Sequence, residues 1–470
     1  MSATATTEKK YLKWYQKLAY GSGDLASNCS YGLVSSFVLL YLTGTLGLDS
    51  AIIGSLMLAS KVLDGISDVI FGTLIDRTHS KLGKARPWML FGQVGVSLCL
   101  FLLFAIPAGS TTMQYIYFFI VYTALNAVFY TANGIAYSSL VALITKNNNE
   151  RVQLGSFRFM FAVVTNIFMG FAVTGMVEKF GGGAAGWRTT ALIFAIVGLV
   201  INTISCLAVK ELPEEELSDN TSEAAEEGKA VAEEKKHGFA ETAKILVHNK
   251  YYLMILAIYI VYYIMSNLTT GAGVFCATYY WGDGSLLGQF SMMKMFPVII
   301  ALAIAPVLIQ KTGSMQKVNF WGYAISSVLG IPMIYFAMQK NLSMFLLFMF
   351  IKGIFAGTLS GSLNALIAEA SGYTTRTTGI HMDGMMYSCS SLGVKVGGGI
   401  GTAAVGWLLK LGGFVGTATV QSESAIRMIF NLYITFPFVI GIIITVLLAF
   451  LDVEKANKKW DAEHQKEAQA

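Results

Sequence analysis

The sequence is short of charge, cysteine and histidine, and each shortage removes a class of function. Only 13% of its 470 residues are Asp, Glu, Lys or Arg, against about 25% in soluble domains, which excludes an ordinary water-soluble fold. The five cysteines, Cys29, Cys99, Cys206, Cys276 and Cys389, stand far apart in apolar stretches. That spacing suits neither a disulfide framework nor a zinc site, and they read as small buried hydrophobes. The five histidines, His79, His237, His248, His381 and His464, fall mostly in loops and tails. They lack the spacing of a metal cluster or of a base beside a nucleophile. No enzyme, no cofactor and no metal cluster is therefore expected. The net charge of +5 is modest and gives no reason to expect a nucleic-acid partner.

What the chain has is apolar length. Hydrophobic residues make up 54%, and the mean hydropathy is +0.58. Apolar runs able to cross a bilayer lie near Tyr20 to Thr45, Ala51 to Ile75, Trp88 to Pro107, Met113 to Ile144, Leu154 to Val177 and Trp187 to Val209. A second set lies near Tyr251 to Trp281, Leu286 to Ile309, Val318 to Met338, Leu342 to Ala368, Gly384 to Leu411 and Ile426 to Leu451. Between them Lys210 to Lys250 is rich in Glu, Ala and Lys, a solvated linker in composition. Its last part, Gly238 to Val247, suits a short interfacial helix. The expectation is an all-α membrane protein of twelve transmembrane helices in two six-helix bundles, residues 1–209 and 251–451, with a linker at 210–250 and a tail at 452–470. The first seventeen residues are polar and the first apolar run is too long for a cleavable signal core.

Loop charge sets the expected orientation. Lys9, Lys10, Lys13 and Lys17 precede the first span, and Arg77, Lys81, Lys84 and Arg86 follow the second, whereas the turns after spans one and three carry no Lys or Arg. Both termini and the linker are therefore expected in the cytoplasm. Two repeated halves joined by a polar linker form the layout of a transporter that holds its substrate near the membrane midplane.

The densest chemistry lies in Lys61 to Trp88, KVLDGISDVIFGTLIDRTHSKLGKARPW. Asp64 and Asp68 are one helical turn apart on one face, with Lys61 close to the same stripe. An Asp at mid-membrane costs roughly 2.5 to 3.5 kcal/mol, so two in one span need partners, water or an ion. If the first two spans pack antiparallel about a turn near Leu46, Asn28 lies level with Asp64 and Asp24 with Asp68. Hard oxygens of this kind suit Na⁺ or a proton. Thr131, in YTANG, offers a neutral oxygen, Arg158 either snorkels or faces a cavity, and Lys395 sits mid-span among glycines. Lys294 and Lys352 also lie in apolar runs, with no face assigned. In the turn IDRTHSKLGKARP, the charges either enforce orientation or hold a cytoplasmic gate, with Asp76 and Arg77 capping and pairing beside Lys84 and Arg86.

Five stretches carry a resemblance: YGSGDLASN from Tyr20, LDGISDVIFGTLIDRTHSKLGKARPW from Leu63, YTANGIAYSSL from Tyr130, the segment ending in Arg158, and YSCSSLGVKVGG from Tyr387. Over essentially its whole length the chain resembles the glycoside, pentoside and hexuronide to cation symporters, the melibiose permease family of the major facilitator superfamily. The resemblance implies alternating access and uptake of a sugar or glycoside driven by Na⁺, H⁺ or Li⁺ in a bacterial cytoplasmic membrane, by a chain expected to act as a monomer. It implies a cation site at Asp64, Asp68 and Thr131 with Asn28 beside it, and a substrate site at Asp24, Asn28, Tyr137, Arg158 and Lys395. Lys395 matches a lysine that links the halves. Asn28 and Gly134 stand where the melibiose permease itself has acids. An uncoupled facilitator or exchanger of another small solute on the same fold is the alternative.

Overall fold

The structure, a computed structural model, describes residues 9–213, 239–380, 383–418 and 420–467. Among the described residues there is helix and connecting turn but no strand. The chain begins with α1 (Trp14–Gly21), α2 (Gly23–Leu40), α3 (Ser50–Asp76), α4 (Arg86–Leu103), α5 (Thr111–Thr123), α6 (Thr131–Ile144), α7 (Asn148–Lys179) and α8 (Gly183–Leu207). It continues with α9 (Phe239–His248), α10 (Lys250–Phe275), α11 (Leu286–Thr312), α12 (Met315–Met338), α13 (Leu342–Thr378), α14 (Asp383–Leu411), α15 (Glu423–Phe430), α16 (Phe436–Phe450) and α17 (Val453–Glu467). Four π-helical turns, Tyr41–Thr45, Ala124–Tyr130, Cys276–Tyr280 and Asn431–Thr435, lie within or at the ends of these runs. Eleven of the described helical runs are long and apolar enough to cross a membrane. Helix α3 has the length, 27 residues, but carries Lys61, Asp64, Asp68 and Asp76. The hydropathy pattern thus located the crossings; helix ends differ where capping decides them. α7 starts at Asn148 because the Asn147 side chain accepts the Glu150 N–H, and α13 runs past Ala368 to Thr378, where Gly379 closes it in the left-handed conformation. Most of the expected linker lies outside the described residues, and its last part forms α9, close to the helix expected there.

The chain divides into two compact units. The first holds the described residues of Met1–Asp219 together with Gly273–Gln289 and Gly406–Ile426. In it α2 packs on α7 and α8, α4 packs on α6 and α8, and α3 packs on α5, α6 and the π turn Ala124–Tyr130. One apolar cluster gathers Tyr20, Ile75, Met89, Tyr137, Leu140 and Cys206. At the far end of this unit, backbones touch: a Cβ on Gly416 would lie 2.2 Å from the Thr43 carbonyl oxygen, and one on Gly406 equally close to that of Ser50. Small residues permit such approach where lipid removes the hydrophobic drive for helices to associate. Ser50 donates to the Gly406 carbonyl at 2.9 Å, and Lys410 meets Asp49 at 2.6 Å.

The second unit holds the described residues of Asn220–Ala272, with Phe290–Val405 and the chain from Arg427 onward. Here α12 packs along α13 and α16, around Ile255, Tyr259, Tyr323, Leu363, Leu366 and Leu448. Each unit repeats one capping device. Glu211, just past α8, accepts N–H bonds from Lys84, Ala85 and Arg86 at 2.7, 3.0 and 3.0 Å, at the start of α4. Glu454, just past α16, accepts the Ser314 hydroxyl at 2.5 Å and the Gln316 N–H at 2.9 Å, at the start of α12. In both, a carboxylate satisfies the free donors at a helix N-terminus, where the dipole also favours it. A glutamate after the sixth crossing helix of a set thus anchors the third, which is the trace of an internal repeat.

Candidate functional site

The site begins at a break. Ser22 interrupts the first span between α1 and α2, and the glycines on either side let three helices converge. A Cβ on Gly21 would meet the Phe157 Cβ at 2.6 Å, and one on Gly23 would meet Tyr137 at 2.7 Å and Ser205 at 2.8 Å. Tyr20 and Tyr137 are tied reciprocally, the Tyr20 hydroxyl donating to the Tyr137 carbonyl at 2.5 Å and the Tyr137 hydroxyl to the Tyr20 carbonyl at 2.8 Å. Ser205 donates to the same Tyr20 carbonyl at 2.8 Å. The YGSGD motif is therefore a close-packed junction whose backbone is held by α6 and α8.

Just beyond it, Arg158 Nε on α7 meets Asp24 Oδ2 at 2.6 Å, and the guanidinium lies over the Tyr137 ring, 4.2 Å from its centroid. Arg158 thus faces inward; it does not snorkel. Both charges keep some exposure, 26% for the Arg158 side chain and 19% for that of Asp24, so polar groups of a small molecule can reach them. One turn on, Asn28 Nδ2 donates to the Asp24 carbonyl at 2.7 Å and its Oδ1 accepts from Asn166 at 3.0 Å. An acid, a base and two carboxamides on α2 and α7, with a tyrosine ring beside them, form a surface able to bind several hydroxyls.

A second polar cluster lies on α3 and α6. Thr131 donates to Asp64 Oδ1 at 2.7 Å, and that same hydroxyl lies 2.9 Å from the Asn126 carbonyl oxygen. Lys61 Nζ stands 3.5 Å from Asp64 Oδ2 and 5.5 Å from the centroid of the Tyr31 ring, which stacks on Tyr130. The π turn Ala124–Tyr130 interrupts regular helix bonding just before Thr131, and such bulges recur at functional sites. Asp68 is half-buried one turn along α3. Asp24 meets Arg158 on α7 and Asn28 meets Asn166, α2 packing on α7 and α8 while α3 packs on α5 and α6; the two helices come together where Lys61 of α3 lies over the Tyr31 ring of α2. Asn28 accordingly stands with the Asp24–Arg158 group, and Asp64 with Thr131.

Similarity to known proteins decides the family. The sequence profile described as "MFS/sugar transport protein" matches residues 19–455. The chain belongs to the MFS/sugar transport protein family. It is 27% identical to the isoprimeverose transporter of Lactiplantibacillus pentosus over 98% of this chain and 93% of that protein. It is 24% identical to a putative glycoside/cation symporter of Escherichia coli, over 94% of this chain and 92% of that protein. Among solved structures, a point-mutant form of the nucleoside transporter NupG shares the fold, with a TM-score of 0.62 at 12% identity, covering 92% of this chain and 99% of that one. This MFS/sugar transport protein is a multi-pass membrane transporter and not an enzyme.

Lys395 is half-buried on α14 in the second unit. Asp76 and Arg77, expected to cap and pair, have exposed side chains. The turn is instead fastened by Glu211 through the Lys84, Ala85 and Arg86 N–H groups, and by Arg86 Nε donating to the Cys206 carbonyl at 3.2 Å. Glu211, Tyr20, Asn166 and Ser205 escaped the sequence reading. The signal for Glu211 was its place as the first acid after the sixth span; the others sit on helix faces that only packing reveals.

Proposed function

We propose that this transporter couples the inward movement of a sugar or glycoside to that of a cation, Na⁺ or H⁺, by alternating access with both termini in the cytoplasm. The observation that carries the reading is Asp64 at membrane depth with Thr131 on one carboxylate oxygen and Lys61 near the other. A carboxylate there is costly unless neutralised, and Lys61 at 3.5 Å is a loose partner that a bound cation or proton can replace. Asp68 supplies the second hard oxygen donor. Asp24, Asn28, Arg158 and Tyr137 bind sugar hydroxyls, because a charged pair and carboxamides offer both donors and acceptors in fixed directions. Lys395 responds to the cation state from the other half. The names of the relatives, an isoprimeverose transporter and a putative glycoside/cation symporter, support sugar as cargo and a cation as driver.

The second reading, an uncoupled facilitator or exchanger, draws on the same contacts: Asp24 with Arg158 and Asp64 with Lys61 are already paired, so neither acid strictly requires an ion. Uptake by proteoliposomes with and without an inward Na⁺ or H⁺ gradient separates the two. Symport predicts accumulation above the outside concentration in wild type and only downhill movement in Asp68→Cys. Full accumulation by Asp68→Cys contradicts the cation site.

A further inference from the structure

Lys61 has two neighbours of different chemistry. Its Nζ stands 3.5 Å from Asp64 Oδ2 and lies over the face of the Tyr31 ring, 5.5 Å from the centroid. Neither contact is tight: a charge-assisted N–H···O bond closes to about 2.7 to 2.9 Å, and cation–π attraction extends to about 6 Å. The ammonium therefore sits between a carboxylate on its own helix, α3, and a ring on α2, on a flexible four-carbon stem that can lean towards either. The side chains of Lys61 and Asp64 are only 16% and 13% exposed. An ammonium that leaves Asp64 thus has little water to enter, and attraction to a ring face grows as water is removed.

The ring that faces Lys61 touches both polar clusters. Tyr31 stacks on Tyr130, with centroids 5.1 Å apart and planes inclined at 24°. Tyr130 directly precedes Thr131, whose hydroxyl donates to the other Asp64 oxygen at 2.7 Å. On α2, Tyr31 follows Asn28 by three residues and so shares its face, and Asn28 Oδ1 accepts from Asn166 of α7 at 3.0 Å. Lys61, Tyr31 and Tyr130 thus join the Asp64–Thr131 cluster to the helix that carries Asp24 and Asn28. A cation arriving at Asp64 repels the ammonium and competes with it for the same carboxylate. The Tyr31 ring is the seat already within reach, and occupying it draws α3 towards α2 beside Asn28.

We propose that Lys61 is a built-in competitor for the coupling cation, resting on Asp64 while the site is empty and leaning onto the Tyr31 ring once it is filled, with Tyr31 as the positioning residue. The inference rests on the proposed cation site at Asp64. It is tested by calorimetric titration of the sugar-free full chain in nanodiscs of neutral lipid, with Na⁺ at fixed pH and, in Na⁺-free buffer, with acid. The ion whose wild-type binding is lost in Asp64→Asn is the cation of this site. Lys61→Met removes the competitor, so that ion should bind several-fold tighter than in wild type, whereas the loss of a merely structural contact weakens binding. Tyr31→Leu leaves the ammonium on Asp64 and should weaken the ion several-fold. Tyr31→Phe keeps the ring face and should match wild type. In the double variant of Lys61→Met with Tyr31→Leu, the Leu change should add nothing, because Tyr31 acts through Lys61. A Lys61→Met protein that binds the ion no tighter than wild type overturns the proposal. So does a Tyr31→Leu protein that matches Tyr31→Phe, or a Leu effect of the same size with and without Lys61. If neither ion's binding depends on Asp64, the cation site itself falls and this inference with it; Asp64-dependent binding that the Lys61 and Tyr31 variants leave unchanged removes this inference alone.

Discussion

Arg158 reaches Asp24 across helices α7 and α2 at 2.6 Å while lying flat over Tyr137, 4.2 Å from the ring centroid. One guanidinium thereby joins the break in the first span to the helix that carries Tyr137. Arg158→Lys should therefore not behave as a conservative change, since an ammonium gives up both the fork geometry and the stacking. Sugar binding should weaken at least ten-fold, and removing either charge alone should destabilise by about 1.5 to 3 kcal/mol. Asp24→Asn with Arg158→Met should cost less than the sum of the single changes. Isothermal titration and chemical unfolding of the four proteins measure both quantities; strict additivity contradicts a functional pair.

Thr131 allows the proposed cation site to be tested apart from the proposed sugar site. Thr131→Val removes the 2.7 Å bond to Asp64 without touching Asp24, Asn28 or Arg158. Sugar binding at saturating sodium should change little, whereas the sodium concentration for half-effect should rise several-fold. Sodium titration of sugar binding reads this directly, and an unchanged half-point removes Thr131 from the cation site.

Asp49 and Lys410 give the pH prediction. Burial pushes the Asp49 carboxyl up, but hydrogen bonds from Lys410 and from the Ala51 and Ile52 N–H groups outweigh it and hold the group below its ordinary value. A carboxyl lowered in the folded state stabilises above its unfolded pKa and loses that contribution as pH falls through the folded value. Lys410→Met should therefore be less stable than wild type at pH 7, by an amount that shrinks below about pH 4 and with added salt, because the pair is partly exposed. Thermal unfolding across pH and ionic strength checks it; a difference independent of both rules out the ion pair as cause.

Glu211 tests the capping device. Glu211→Ala leaves three N–H groups at the start of α4 without their acceptor and should cost about 1 to 2 kcal/mol. The matching change Glu454→Ala should act similarly on α12. Unfolding of both variants gives the comparison, and neutrality of both dismisses the repeat as an energetic feature.

Much of the fold was legible because each crossing demands a long apolar run, a signal that survives without neighbours. Helix α3 was legible even with its charges, since Asp64 and Asp68 lower its hydropathy without breaking a 27-residue helical run. Tertiary neighbours were not legible. Asp24 and Arg158 lie 134 residues apart, and chain adjacency gave no sign that Asp24 and Asn28 would meet Arg158 and Asn166 on α7. The break at Ser22 depends on Gly21 and Gly23 admitting Phe157, Tyr137 and Ser205, which no local pattern shows. Lys294 and Lys352 could be seen in the sequence, but that both line one cavity of the second unit follows only from the packing.

The central claim is that ion and sugar share one free-energy network. Coupling between two sites is reciprocal and typically about 1 to 3 kcal/mol, or roughly 5- to 150-fold. The direct measurement is calorimetric titration of sugar into wild type and Lys395→Val, with and without Na⁺ and across pH. Symport predicts sugar affinity at least several-fold higher with Na⁺, or with protons if they are the driver, the same factor for the ion when sugar is present, and a factor near one in Lys395→Val. A wild-type sugar affinity that is the same under all of these ionic conditions contradicts symport and leaves the facilitator.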